Sequence, residues 1–382
     1  MTRRTPSVAA LFSVYVVFYS TVAIYGAYLN LYLSSTGLSN LQIGAIVSLS
    51  TGFTFFANVF WGEISDRTGD LRRVIMLALL LSLGLVLGYY LHSSFIYLAI
   101  ISVLFAVCFN PITPLLDAYS LELLEDTQTD YGQIRMGGTI GYSVTVLIAG
   151  WFLDDAYGRI FLIAAVLLFL AWLTLKRFPR VEGAVKAPKQ AQAMPKDKLL
   201  IALLIFNFIF ALGTAFYSAF YPIYFESIGG NSRLIGIMLF LGAMSEVPVL
   251  IYVGRIIDRI GIKKLLVIAS LCTIVRWVLL GFLVNPVAII AVSLLHGIGF
   301  TSFNYGLITY INKSLPRQMR ARGQTFYVLL GSVLPRVISG YLGGLATTYI
   351  GTNRLVLLNA GLLAVATLVF VFQTFPEEQV AA

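Results

Sequence analysis

Apolar runs of about 20 residues recur along the chain, each closed by a short charged or Pro/Gly connector, and this is the feature that most limits its fold. About 20 apolar residues in a helix cross the ~30 Å hydrocarbon layer of a bilayer. No water is present there to satisfy the backbone, so helices or closed barrels are the only spanning forms. Twelve spans are predicted, at about residues 8–33, 40–61, 74–91, 95–121, 133–154, 159–177, 198–226, 232–253, 264–283, 286–312, 322–349 and 354–375. Hydrophobic residues make up 59% of the 382 and charged residues 11%, against about 45–50% and about 25% in a soluble domain. An ordinary cytoplasmic enzyme and a nucleic-acid-binding domain are excluded on that ground. The first run follows Thr2-Arg3-Arg4, outlasts a signal-peptide core and shows no small-residue cleavage site, so it reads as an uncleaved first helix.

The net charge of +9 has the distribution of a membrane protein. With these spans, 20 of the 26 Lys/Arg fall in alternate connectors, and the connectors between hold only Arg159, Arg233 and Arg354. That asymmetry predicts cytoplasmic N and C termini in a plasma (inner) membrane. Cys108 and Cys272 lie inside apolar runs and the chain has two histidines, so neither a disulfide framework nor a metal site is expected. No cofactor is expected either. Residues 178–197 are rich in Pro, Ala, Gln and Lys and read as a linker. They divide the chain into an N-terminal bundle (1–177) and a C-terminal bundle (198–382), six spans in each.

The two halves repeat a signature. Gly62-Glu-Ile-Ser-Asp66-Arg67-Thr-Gly69 follows the second span, and Gly254-Arg-Ile-Ile-Asp258-Arg259-Ile-Gly261 follows the eighth, 192 residues later. Both read G-x-x-x-D-R-x-G, and a basic pair follows each (Arg72-Arg73, Lys263-Lys264). A lone copy is an ordinary polar turn; two copies half a chain apart mark an internal duplication. The pattern resembles the signature loop of the major facilitator superfamily. The resemblance implies twelve helices in two pseudo-symmetric bundles around a midplane cavity. It also implies that Asp66, Arg67, Asp258 and Arg259 gate the cytoplasmic side, the Asp capping a helix end and pairing with Arg.

Ionisable groups inside a bilayer are costly and usually mark solute or proton paths. Here they are Asp117, Arg135, Glu246, Arg276, His296 and Arg336; the structural alternative is snorkelling or an ion pair that only fixes packing. Pro114-Leu-Leu-Asp117-Ala-Tyr-Ser and Tyr131-Gly-Gln-Ile-Arg135-Met-Gly-Gly-Thr-Ile-Gly-Tyr142 resemble the fourth and fifth helices of lactose-permease-like proton symporters. In that group an acid and an arginine 18 residues apart bind sugar, and an aromatic seven residues later stacks on it. The resemblance therefore implies solute-binding roles for Asp117, Arg135 and Tyr142. Arg276 and His296, 20 residues apart, also match in spacing, as do Tyr310-Ile-Asn-Lys and Arg322-Gly-Gln-Thr. The same group includes phenylpropionate and nucleoside permeases.

The departures fall on the proton path. The group's proton-carrying acid lies three residues after the histidine, where this chain has Gly299, and its acid–lysine pair between helices seven and eleven is absent. Glu246 is the remaining acid well inside a C-terminal span, and a desolvated carboxyl holds a proton at neutral pH. Glu246 with Arg276 and His296 is the expected proton-coupling set. In the alternative, Glu246 binds the solute and Asp117 carries the proton.

Tyr25, Tyr28 and Tyr32 share one face of the first helix, as a stacking surface or as packing. Asn110, Asn207 and Asn304 are polar mid-helix residues suited to a cavity wall, and Gly137-Gly138 and Gly340/Gly343/Gly344 suit close helix packing. With no G-x-x-x-x-G-K-[ST] motif, ATP and an ATP-binding subunit are not expected. The expected activity is proton-coupled symport of a small organic solute, an oligosaccharide first and a nucleoside or aryl acid next. The rivals are a proton-antiport exporter of drugs or metabolites and a non-transporting membrane sensor or scaffold. An enzyme is not expected, because no nucleophile–base spacing stands out.

Overall fold

A computed structural model describes residues 8–125, 130–180, 198–315 and 317–373. Arg3, Arg4, the predicted linker beyond residue 180, and the side chains of Arg317, Arg320 and Arg322 lie outside the described residues. Every regular element among the described residues is a helix. The first seven are α1 (Val8–Ser35), α2 (Asn40–Thr68), α3 (Leu71–Gly88), α4 (Phe95–Phe109), α5 (Ile112–Leu124), α6 (Tyr131–Leu153) and α7 (Arg159–Lys176). They are followed by α8 (Lys198–Ser227), α9 (Ser232–Phe282), α10 (Pro286–Ser293), α11 (Leu295–Ser314) and α12 (Arg317–Val328). A π-helical turn (Leu329–Val333) then leads into α13 (Leu334–Ile350) and α14 (Thr352–Val371).

Eleven continuous helical stretches among the described residues are long and apolar enough to cross a membrane. Four of them are jointed: α10 joins α11, α12 joins α13 through the π-helical turn, and two more joints fall at Pro111 and Gly261. α4 and α5 form one stretch from Phe95 to Leu124, with Pro111 at the joint, where a proline has no N–H to continue the ladder. α9 runs for 51 residues, but Gly261 inside it adopts φ 81°, ψ 164°, so two helices meet there. Its parts hold the predicted runs 232–253 and 264–283.

Gly69 also has positive φ, 60°. The closing glycine of each signature copy is therefore where one helix ends and the next begins, at a positive φ that glycine adopts most readily. At the start of α3 the capping side chain is that of Asp70. Asp70 accepts a hydrogen bond from the Arg73 backbone N–H at the start of α3, at 3.1 Å. Asp66 lies exposed in the last turn of α2.

The helices group into two units, one of residues 1–38 and 49–191, the other of 39–48 and 192–382. In the first, α6 lies against α1 through glycines: a Cβ on Gly137 would meet the Phe12 carbonyl oxygen at 2.7 Å, and one on Gly141 would strike that of Val16. Tyr25 and Tyr32 turn toward Tyr89, whose hydroxyl also donates to Ser102 at 2.8 Å. In the second unit, Gly297 of α11 faces the Ser245–Glu246 backbone, Gly213 faces the Trp277 ring, and Gly343 faces Phe216. These contacts let backbones approach where a larger residue would hold them apart. Large apolar side chains such as Phe56 (70% exposed), Phe152 (68%) and Leu368 (62%) face outward, which suits lipid and not water.

The opening glycine of the first signature copy and the closing glycine of the second are predicted to respond differently to substitution. Gly261→Ala forces a Cβ into a glycine-only region and should cost about 1–3 kcal/mol, read as a lower unfolding midpoint in detergent. Gly62→Ala meets open space within a helix and should leave the midpoint unchanged or raise it.

Candidate functional site

In the first unit the site is organised by α1. Asp117 of α5 and Arg135 of α6 are half-buried, and each is held by a tyrosine of α1. The Tyr15 hydroxyl donates to Asp117 Oδ1 at 2.9 Å. The Arg135 guanidinium lies over the Tyr19 ring, 4.3 Å from its centre. Tyr15 and Tyr19 are one helical turn apart, with nearly parallel rings 6.0 Å apart. Acid and arginine are thus linked through stacked rings, and among the described residues no ion pair within 4.0 Å joins them. Gly138 makes the room: a Cβ there would sit 2.7 Å from Arg135 Nη1 and 2.8 Å from Tyr19 Cδ2.

Tyr142 is half-buried on α6, two turns beyond Arg135. Tyr28 is fully buried, and its hydroxyl donates to the Val146 carbonyl at 2.8 Å. The predicted Tyr25/Tyr28/Tyr32 face is therefore divided, with Tyr28 toward α6 and the other two toward Tyr89. Asn110 donates to Thr54 at 2.9 Å.

In the second unit, Glu246 of α9 and His296 of α11 meet at 3.5 Å, Oε1 to Nε2, both partly buried. The Gly297 N–H donates to Ser245 Oγ at 2.8 Å, so backbone contact brings the acid and the imidazole together. Arg276, only 5% exposed, lies over the Tyr217 ring, 4.3 Å from its centre. Gly299, where the resemblance would place an acid, is packed against the Thr273 hydroxyl, which would have to move to admit a Cβ. Asn304 has both ends of its amide engaged, donating to Phe300 O at 2.8 Å and accepting from the Tyr327 hydroxyl. Asn207 is buried and donates to Tyr327 O at 3.4 Å, beside the π-helical turn. Arg336 is exposed.

The gate residues lie on exposed helix ends. Arg67 pairs with Glu63 at 3.6 Å and Asp258 with Lys313 at 4.0 Å; such exposed pairs contribute little stability. Arg259 is exposed. The better-buried carboxylate is Asp70, 7% exposed, which pairs with Arg73 at 3.1 Å and Arg180 at 3.6 Å. Arg72 donates to the Phe178 carbonyl and Tyr119 to that of Pro179 at 2.7 Å, so the end of the first bundle is tied to the signature loop. Three important residues escaped the sequence reading. Asp70 was signalled by its place three residues before Arg73 at a helix start; Tyr15 and Tyr19 were signalled only by the density of tyrosines on α1.

A sequence model of the MFS_1 like family matches residues 8–358. The maltose permease of Geobacillus stearothermophilus is 25% identical over 314 residues, 80% of this chain and 79% of the permease. A probable 3-phenylpropionic acid transporter of Escherichia coli (strain K12) is 22% identical over 307 residues, 78% of this chain and 80% of that one. The crystal structure of the nucleoside transporter NupG has the same fold, with a TM-score of 0.85 at 16% identity over 95% of this chain and 98% of that one.

Gly138→Ala sets a methyl group against Arg135 and Tyr19 and is expected to displace the stack and lower the unfolding midpoint, and with it solute binding. Gly299→Glu, which would restore the acid of related symporters, is expected to lower the midpoint and the yield of folded protein instead of adding a proton site. Equilibrium binding and thermal unfolding of the two purified variants check both outcomes.

Proposed function

The chain belongs to the MFS_1 like family of secondary transporters, and on that premise we propose that it moves a small organic solute together with a proton, by alternating access. The observation that carries this reading is the Glu246–His296 contact at 3.5 Å. An acid and an imidazole at that distance, partly withdrawn from water, form a couple whose proton occupancy responds to a small change of surroundings. Alternating exposure supplies such a change, and the difference between the two states couples proton to solute.

In this reading Asp117 and Arg135 bind the solute and Tyr142 stacks on it. The opposite charges are kept from neutralising each other by Tyr15 and Tyr19, so both remain available to a ligand with donors and acceptors. Tyr28 and Asn304, whose polar groups are engaged by neighbouring helices, hold the walls. Asp66, Arg67, Asp258 and Arg259 gate the cytoplasmic side. The helix break at Gly261 supports twelve spans, and the Lys/Arg asymmetry supports cytoplasmic termini in the plasma (inner) membrane.

Uptake of maltose, uridine and 3-phenylpropionate into proteoliposomes, with and without an inward proton gradient, tests the reading; accumulation of one of them only with the gradient supports it. A gradient that drives export of the solute assigns an antiporter and overturns it. Glu246→Gln imitates the permanently protonated acid, so it is expected to exchange solute across the membrane but not to concentrate it. Uphill transport by that variant at the unmodified level moves the proton to Asp117 or replaces it with another ion. Arg135→Lys keeps the charge and loses the planar fork, and solute should bind at least tenfold more weakly. Asp66→Asn should slow turnover and leave equilibrium binding intact.

A further inference from the structure

Arg276 carries five N–H donors and a full charge, it is 5% exposed, and what holds it is the face of Tyr217, 4.3 Å away. Its Nε is buried with no hydrogen-bond partner. Among the described residues no carboxylate lies within 4.0 Å of its guanidinium; Glu246 is at His296 instead. The surrounding titratable groups are Tyr217 and Tyr221 on α8, Cys272 on α9 and His296 on α11, and the Tyr221 hydroxyl already donates to Leu280 O at 3.2 Å. Arg135 differs, because Asp117 shares its tyrosine stack in the same unit.

A buried guanidinium without a counter-ion is expensive, and a ring face replaces only part of its hydration. A neutral hydroxyl from a solute fills donors but leaves the charge uncompensated. A carboxylate does both, because its two oxygens match the guanidinium fork. We propose that Arg276 is an anion receptor in the second unit and that it takes the carboxylate of an organic acid, which makes the solute a monoanion and not a neutral sugar or nucleoside. This inference deepens the proton-symport reading and rests on it for charge balance. With the solute bound, its carboxylate supplies the counter-charge that no carboxylate of the described residues places within 4.0 Å of Arg276, and the co-transported proton balances that carboxylate.

The test is equilibrium binding at one fixed pH to the purified full chain, with 3-phenylpropionate, benzoate and hexanoate as probes, each against its own amide. The amide keeps the shape and loses the charge. At least one acid should bind at least tenfold more tightly than its amide. Arg276→Gln should lose at least tenfold for that acid and leave the amide unchanged, and Arg276→Lys should fall between. Equal binding of acid and amide by the unmodified protein overturns the proposal without recourse to any variant, as does failure of all three acids to bind. Full affinity for the acid in a folded Arg276→Gln protein overturns it as well. The two readings fail separately. Proton-driven uptake of maltose or uridine, unaffected by Arg276→Gln, retains symport and removes the anion receptor. An acid that binds through Arg276 but is not concentrated by a proton gradient retains the receptor and removes the coupling.

Discussion

A guanidinium withdrawn from water has to be held by something, and in both units of this chain it is held by the face of a tyrosine. Arg135 rests on Tyr19 and Arg276 on Tyr217, each ring centre 4.3 Å from the guanidinium carbon. Each tyrosine belongs to the first helix of its half, α1 or α8. A ring face offers attraction without a counter-charge: it fixes the plane of the cation and leaves its edge donors unspent. An ion pair would have satisfied the arginine and also closed it to ligands. The remaining site geometry follows from that choice, including the glycine at 138 that leaves space for the stack and the hydroxyl of Tyr15 that holds Asp117 away from Arg135.

Close helix contact is the second condition. A ring and a guanidinium 4.3 Å apart on neighbouring helices need backbones near enough for short reach, and α6 meets α1 through Gly137, Gly138 and Gly141. Gly297 does the same work against the Ser245–Glu246 backbone, and its own N–H donates to Ser245. The helices that carry the acid and the imidazole are thereby brought together at adjacent residues. Gly299, on the same helix, packs against the Thr273 hydroxyl.

Spans and signature loops were legible in the sequence because each rests on a local rule. Runs of apolar residues are required by the hydrocarbon, and the closing glycines Gly69 and Gly261 are required by positive φ. The acid at 117 and the arginines at 135 and 276 were legible too, because a charge inside an apolar run announces itself. What joins them was not. Five tyrosines on α1 fit packing, stacking or interface belts equally well, and only contacts with α5, α6 and the Tyr89 region assign each to its place. The cap of α3 was not legible for a related reason: the turn at Gly69 sets where α3 begins, and only that places Asp70 at its N-terminus.

Both copies of the signature keep their glycine turns, but the charged groups do not follow the repeat. Arg135 and Arg276 are 141 residues apart, not 192, and their likeness is one of environment. In the first unit Asp117 shares the tyrosine stack with Arg135; in the second Glu246 turns to His296 and leaves Arg276 without a carboxylate at hand. One unit therefore presents a balanced pair, suited to a ligand with donors and acceptors, and the other presents a titratable couple beside an uncompensated cation.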